Sequence, residues 1–161
     1  MVVETTGDIV ASPLINTWAK GRFIEKCMLP LGTDHILIVP LQSTSIPTDT
    51  VLRNCANLGA VFTAGALEAT FTNYSRIALS SSGITITTNT STTFAQVASF
   101  TTQVWSAAGG AVNNTLAAIV LAYQPTTGTA DSGCLVLATL GYAGTTTGGA
   151  LTAVLGTLTG T

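Results

Sequence analysis

The single histidine, His35, directly follows Asp34, and a histidine beside a carboxylate is where acid–base or nucleophilic chemistry would start. A catalytic histidine also needs a nucleophile and an orienting carboxylate. Serines are plentiful, but none lies in a nucleophile-elbow pattern. His35 opens an apolar stretch and reads as a turn histidine. Metal chemistry fares no better. One His and three widely spaced cysteines (Cys27, Cys55, Cys134) give no ligand spacing, and the seven carboxylates are isolated from one another. The glycine-rich "SAAGG" and "TTTGG" lack the lysine and the strand–loop–helix order of a phosphate loop, so they read as turns. No catalytic, metal or cofactor-binding residue is assigned, and neither an enzyme nor a small-molecule substrate is expected. The cysteines read as buried free thiols.

Charge is the scarcest resource of the chain. Charged residues are 7% of the 161, against roughly 25% in an average soluble domain. Net charge is −2, and five Lys and Arg cannot build the basic face that nucleic acid requires. After Arg76 only Asp131 carries charge. A weakly charged, Thr-rich surface suits packing against other chains. The longest apolar run, "LAAIVLAY" (116–123), is too short to span a membrane. The first residues lack the basic start and apolar run of a secretory signal, which predicts synthesis in the cytoplasm.

The elements that would position these residues read as follows. Residues 1–11 suggest an extended arm and 12–161 one domain. Residues 12–28 carry helix signals: Ser12 as cap, Pro13 in the first turn, and apolar residues near one face. Lys20, Arg22, Glu25 and Lys26 make this the most charged stretch. With Val2, Val3, Ile9 and Trp18, these cations form the candidate partner surface. "HILIVPLQS" (35–43) reads as a strand whose Pro40 belongs at a sheet edge or bulge. Residues 47–62 read as a second short helix.

From Glu68 the pattern turns to β. "EATFTNYSRIALS" alternates as a strand, with Glu68 and Arg76 on one face but roughly 26 Å apart along it. Glu68 would then reach Arg76 only from another subunit or through a bend, and Asp131 is the other candidate partner. Strands follow at "GITITTNT", at 93–107 with a bulge, at "LAAIVLAYQP", at "CLVLATLGY" and at "ALTAVLGTL". The expected fold is mainly β: an antiparallel, jelly-roll-like β-sandwich with one or two short helices in the N-terminal third. Tyr74, Trp105, Tyr123 and Tyr142 could line a sugar-binding face, but their apolar strand contexts favour core or interface packing. Tyr74, Arg76, Trp105 and Tyr123 are assigned structural or interface roles.

The order "INTWAKGRFIEK", "HILIVPLQS", "TDTVLRNCANL", "EATFTNYSRIALS", "GITITTN", "VWSAAGG", "TLAAIVLAYQPTTGTADSGCLVLATL", "GGALTAVL" resembles a group of small tailed-bacteriophage virion proteins. The likeness covers residue 14 to about 155 and centres on Tyr74-Ser75-Arg76, preceded by Glu68, and on Trp105. It implies a structural role without catalytic residues or cofactors. The implied protein is a head decoration (cement) protein that binds the major capsid protein on the outer shell as a homotrimer. The alternative it implies is a minor tail or fibre-associated protein that contacts a host-surface glycan.

Overall fold

The computed structural model describes residues 5–9, 14–30, 32–88 and 96–159. Eleven strands are described: β1 (Thr5–Ile9), β2 (Leu14–Ile15), β3 (His35–Gln42), β4 (Ile77–Leu79), β5 (Ile84–Thr88), β6 (Gln96–Phe100), β7 (Gln103–Trp105), β8 (Thr115–Gln124), β9 (Leu135–Thr145), β10 (Leu151–Ala153) and β11 (Thr157–Thr159). Three one-to-two-turn helices accompany them: α1 (Phe23–Met28), α2 (Asp49–Asn54) and α3 (Leu58–Thr63). The chain is mainly β with antiparallel sheets, as its patterning predicts. The sheets are unequal. One has eight strands in the order β4-β3-β8-β9-β1-β10-β7 with β2 also on β9; the other has three, β11-β6-β5. Among the described residues only β1 and β10 pair in parallel.

The continuous apolar runs of β3, β8 and β9 are explained by burial on both faces. Ile36, Ile38, Ile119, Leu121, Leu137 and Leu140 point into a core shared with Phe23 and Cys27 of α1 and with Ala98, Phe100 and Leu158 of the small sheet. Leu37, Val39, Val120, Ala122 and Val136 point the other way, onto Leu52, Cys55, Leu58 and Val61 of the α2–α3 layer. Each fully buried aliphatic side chain contributes on the order of 1.5–3 kcal/mol. Pro40 sits where its missing N–H costs nothing: β4 covers only Ile36–Ile38, and the register breaks between Leu41 and Gln42.

Two expected single strands are each divided between the sheets. Within the described residues the expected strands at 93–107 and 150–158 do not run on as single strands. Instead β6 and β7 bracket Thr101–Thr102, and β10 and β11 bracket a turn with Gly156 at φ 65°. β6 pairs with β11 in the small sheet and β7 with β10 in the large one, so the four form one bent two-stranded ribbon. The Phe100 amide donates to Gly156 O at 3.2 Å across the bend. Such sheet-switching corners close a sandwich without a loop.

The helix expected over 12–28 is corrected. Leu14–Ile15 pair with β9, Asn16 caps a 3-10 turn over Thr17–Ala19, and Gly21 at φ 75° breaks the path before α1. Residues 47–62 form two helices because Asn57 starts a second one, its Oδ1 accepting from the Ala60 amide at 2.8 Å. Of the expected arm, residues 5–9 are strand β1 of the large sheet. Val2 and Val3 lie outside the described residues.

Candidate functional site

Trp18 is the most exposed large apolar side chain described, at 60%, and its setting is built from a buried asparagine. Asn16 Oδ1 accepts from the Trp18 amide at 2.9 Å. Asn16 Nδ2 donates to Leu52 O at 3.2 Å and Cys55 O at 2.9 Å. The Trp18 indole N–H donates to Asn54 O at 2.9 Å, and the Thr17 hydroxyl to Asn54 Oδ1 at 3.2 Å. Leu52 O already accepts from the Cys55 amide at 3.2 Å, and the Cys55 and Asn54 carbonyls at the C-terminal end of α2 are taken up by the side chains of residues 16 and 18. The indole is held at its polar edge while its faces stay open to solvent.

Lys20 and Arg22, which follow Trp18 in the chain, and Val51 and Arg53 of α2, whose Asn54 O holds the indole, are all exposed. Arg22 Nε is 3.7 Å from Glu25 Oε2, both side chains more than half exposed, and such a pair contributes little. Glu25, paired first with Lys26, is held below the usual carboxylate range. Lys26 leaves this surface: it bonds Glu25 at 3.1 Å and lies 5.1 Å from the centre of the Tyr123 ring. Ile9 is paired with Tyr142 in the large sheet. Of the expected partner surface Trp18, Lys20 and Arg22 are exposed, and the fold adds Asn54 as the partner of the indole. Asn16 was missed; an Asn placed to cap the turn Thr17–Ala19 was the available signal.

Arg76 is organised in the opposite way. The expected strand over 68–80 is replaced by a reversal: Asn73 takes φ 66°, the Tyr74 amide donates to Phe71 O at 2.9 Å, and of this stretch only Ile77–Leu79 are strand. The bend returns Arg76 to Glu68 of the same chain. Arg76 Nε and Nη2 donate to Glu68 Oε1 and Oε2 at 2.7 and 2.6 Å. Nη1 and Nη2 donate to Asp131 Oδ1 and Oδ2 at 2.5 and 3.1 Å. Asp131 stands on a 3-10 turn of the β8–β9 hairpin. The Tyr74 hydroxyl donates to Glu68 Oε1 at 2.6 Å, and the Phe62 ring centre lies 5.7 Å from the guanidinium. Hydrogen bonds to Glu68 and then to Asp131 push the Arg76 pKa further up. Burial, then the Glu68 bond, pushes the Tyr74 hydroxyl up. The cluster ties the loop after α3 to the β8–β9 hairpin.

The other aromatics pack inward. Trp105 donates to Ser75 O at 2.8 Å and meets Phe71 edge-on, as does Tyr74. Tyr142 is buried and donates to Thr152 O at 2.9 Å. Tyr123 is half-buried and donates to Asp34 Oδ2 at 3.1 Å. His35 begins β3, and its buried Nδ1 has no hydrogen-bond partner among the described residues, which nothing in the structure explains. Among the described residues no three His, Cys, Asp or Glu side chains converge as metal ligands, and no helix is long and apolar enough to cross a membrane. The three cysteines are free and buried, and burial pushes the Cys27 thiol up to about 12. No protein-family model, no curated protein and no solved structure matches the chain.

Proposed function

We propose that this chain is a head decoration protein of a tailed bacteriophage, which docks on the outer shell of the major capsid protein and stabilises it by mass action. The observation that carries this reading is Trp18, exposed yet fixed by Asn54 O, in the stretch of chain that also holds the exposed Lys20 and Arg22 and is the most charged part of a nearly uncharged molecule. Trp and Arg are the side chains that most often anchor interfaces. Repetition over a shell lattice multiplies a modest contact into a stable coat. The packed, saturated Arg76 cluster supports a structural role for the rest of the chain.

Quantitation of the chain in purified particles tests the location, with hundreds of copies expected. A dozen or fewer would move it to the tail. In co-sedimentation with expanded shells, Trp18→Ala is expected to weaken binding at least tenfold, and unchanged binding removes Trp18 from the contact. The tail reading draws on the same indole, because an exposed ring beside polar groups also suits a sugar face. Glycan-array binding that Trp18→Ala abolishes, together with low copy number, would favour it.

A further inference from the structure

We infer that the slot between β9 and β10 takes the Thr5–Ile9 strand of a second copy of this chain, so that copies join by strand exchange. The slot is real in the fold: β9 and β10 are consecutive in the chain, yet they are not neighbours in the sheet, because β1 stands between them. Left empty, it would expose two unpaired strand edges inside an eight-stranded sheet, and such edges are templates for pairing. The occupant is equally defined, since residues 5–9 are the segment seated there. What identifies this strand as exchangeable is how it is held.

Thr5, Thr6 and Gly7 pair only with Leu151, Thr152 and Ala153 of β10; Asp8 and Ile9 pair only with Ala143 and Tyr142 of β9. No residue of β1 is paired on both sides, although the strand lies in the interior of the sheet. Its sequence, TTGDI, offers one apolar side chain. Its ladder pairings on β10 and β9 are made by the main chain, which any copy's strand supplies equally well.

The tether also permits exchange. β1 and β2 run antiparallel along the same edge of β9, with Ile9 opposite Tyr142 and Leu14 opposite Thr139. Four residues, 10–13, thus connect positions that face only Leu140 and Gly141 between them. The connection holds two residues more than a continuous ladder needs. The five steps from Ile9 to Leu14 reach at most about 17 Å. Exchange would therefore bring the β9 edges of neighbouring copies side by side, and passing each strand to the next copy closes a ring when the rotation closes. This inference does not depend on the capsid reading.

The register supplies the test. Thr6 and Thr152 are directly paired, so cysteines at these positions can form a disulfide. One chain carrying Thr6→Cys and another carrying Thr152→Cys are co-refolded and oxidised. The expected result is a covalent dimer in at least a third of the material, and no such dimer from Thr87→Cys mixed with Thr152→Cys. The double variant in one chain shows which pairing dominates. Oligomers linked by disulfides support exchange. Links only within one chain overturn it, and so does the absence of any link in both arrangements. Sedimentation of the unsubstituted chain should show a concentration-dependent oligomer; a strict monomer up to millimolar concentration also overturns it.

Discussion

At Arg76 four N–H donors meet two carboxylates of the same chain, with a tyrosine hydroxyl completing Glu68. At Trp18 the indole donor is satisfied while the ring stays exposed, and Arg22 makes only an exposed pair with Glu25. Both regions combine an aromatic with a guanidinium, the ingredients of recognition. The difference is where recognition is spent. The first cluster recognises the chain itself and fixes one loop against one hairpin. The second is rigid at its base and open above. A nearly uncharged protein makes the contrast readable, because few other charged side chains obscure it.

The comparison can be broken most forcefully at Arg76. Arg76→Ala leaves two part-buried carboxylates facing each other, and a loss of about 3 kcal/mol is expected, below the full cost of a buried pair because the side chain is 27% exposed. A thermal melt should fall by roughly 6–12 °C; no fall would mean the cluster does not hold the fold. Arg76→Lys should recover little, since an ammonium cannot serve two carboxylates with a fork of donors. Asn16→Ala comes next, with about 2 kcal/mol from the Cys55 carbonyl left without its donor and the lost cap of the Trp18 amide, and it should raise the mobility of Trp18 in fluorescence anisotropy. An unchanged anisotropy would separate the asparagine from the indole.

The third prediction concerns pH. The Cys27 thiol is raised from 9.0 to about 12 by burial, so the folded form keeps a proton that the unfolded chain loses above its own value. Its contribution is fully present below pH 9 and is lost as pH rises through 12, with about 1 kcal/mol gone by pH 10. Tyr74 adds to the same trend at higher pH. Melts of Cys27→Ala between pH 8 and 10 should start lower and slope less than wild type; equal slopes would reject the assignment. The smallest effect belongs to Trp18→Ala, expected to shift stability by less than about 1 kcal/mol. A larger loss would turn the open face into a structural one and erase the contrast.

The sequence foreshadows these regions unequally. β8, β9 and β5 are legible because long apolar runs and alternating Ile and Thr have one simple explanation in a sheet. Glu68 to Arg76 is not, because alternation over that stretch fits both a strand and a reversal that buries Ala69 and Phe71. Asn73 in a left-handed conformation decides between them, and that choice is made by tertiary contacts such as its bond to Ala107 O. The cationic, aromatic surface is legible as a set of residue types. The break at Gly21 and the buried Asn16, which decide which of them share a face, depend on α2 being packed beside them.

The bent ribbon of β6–β7 and β10–β11 has a consequence for how the molecule is made. Both sheets need residues 151–159 for their last pairings, and Thr5 waits for Leu151. During synthesis the apolar β3 emerges long before β8, its central partner. Neither sheet can close until residues 151–159 have been made, so contact order is high and folding is expected to be slow. Nascent chains stalled before residue 150 should be protease-sensitive throughout.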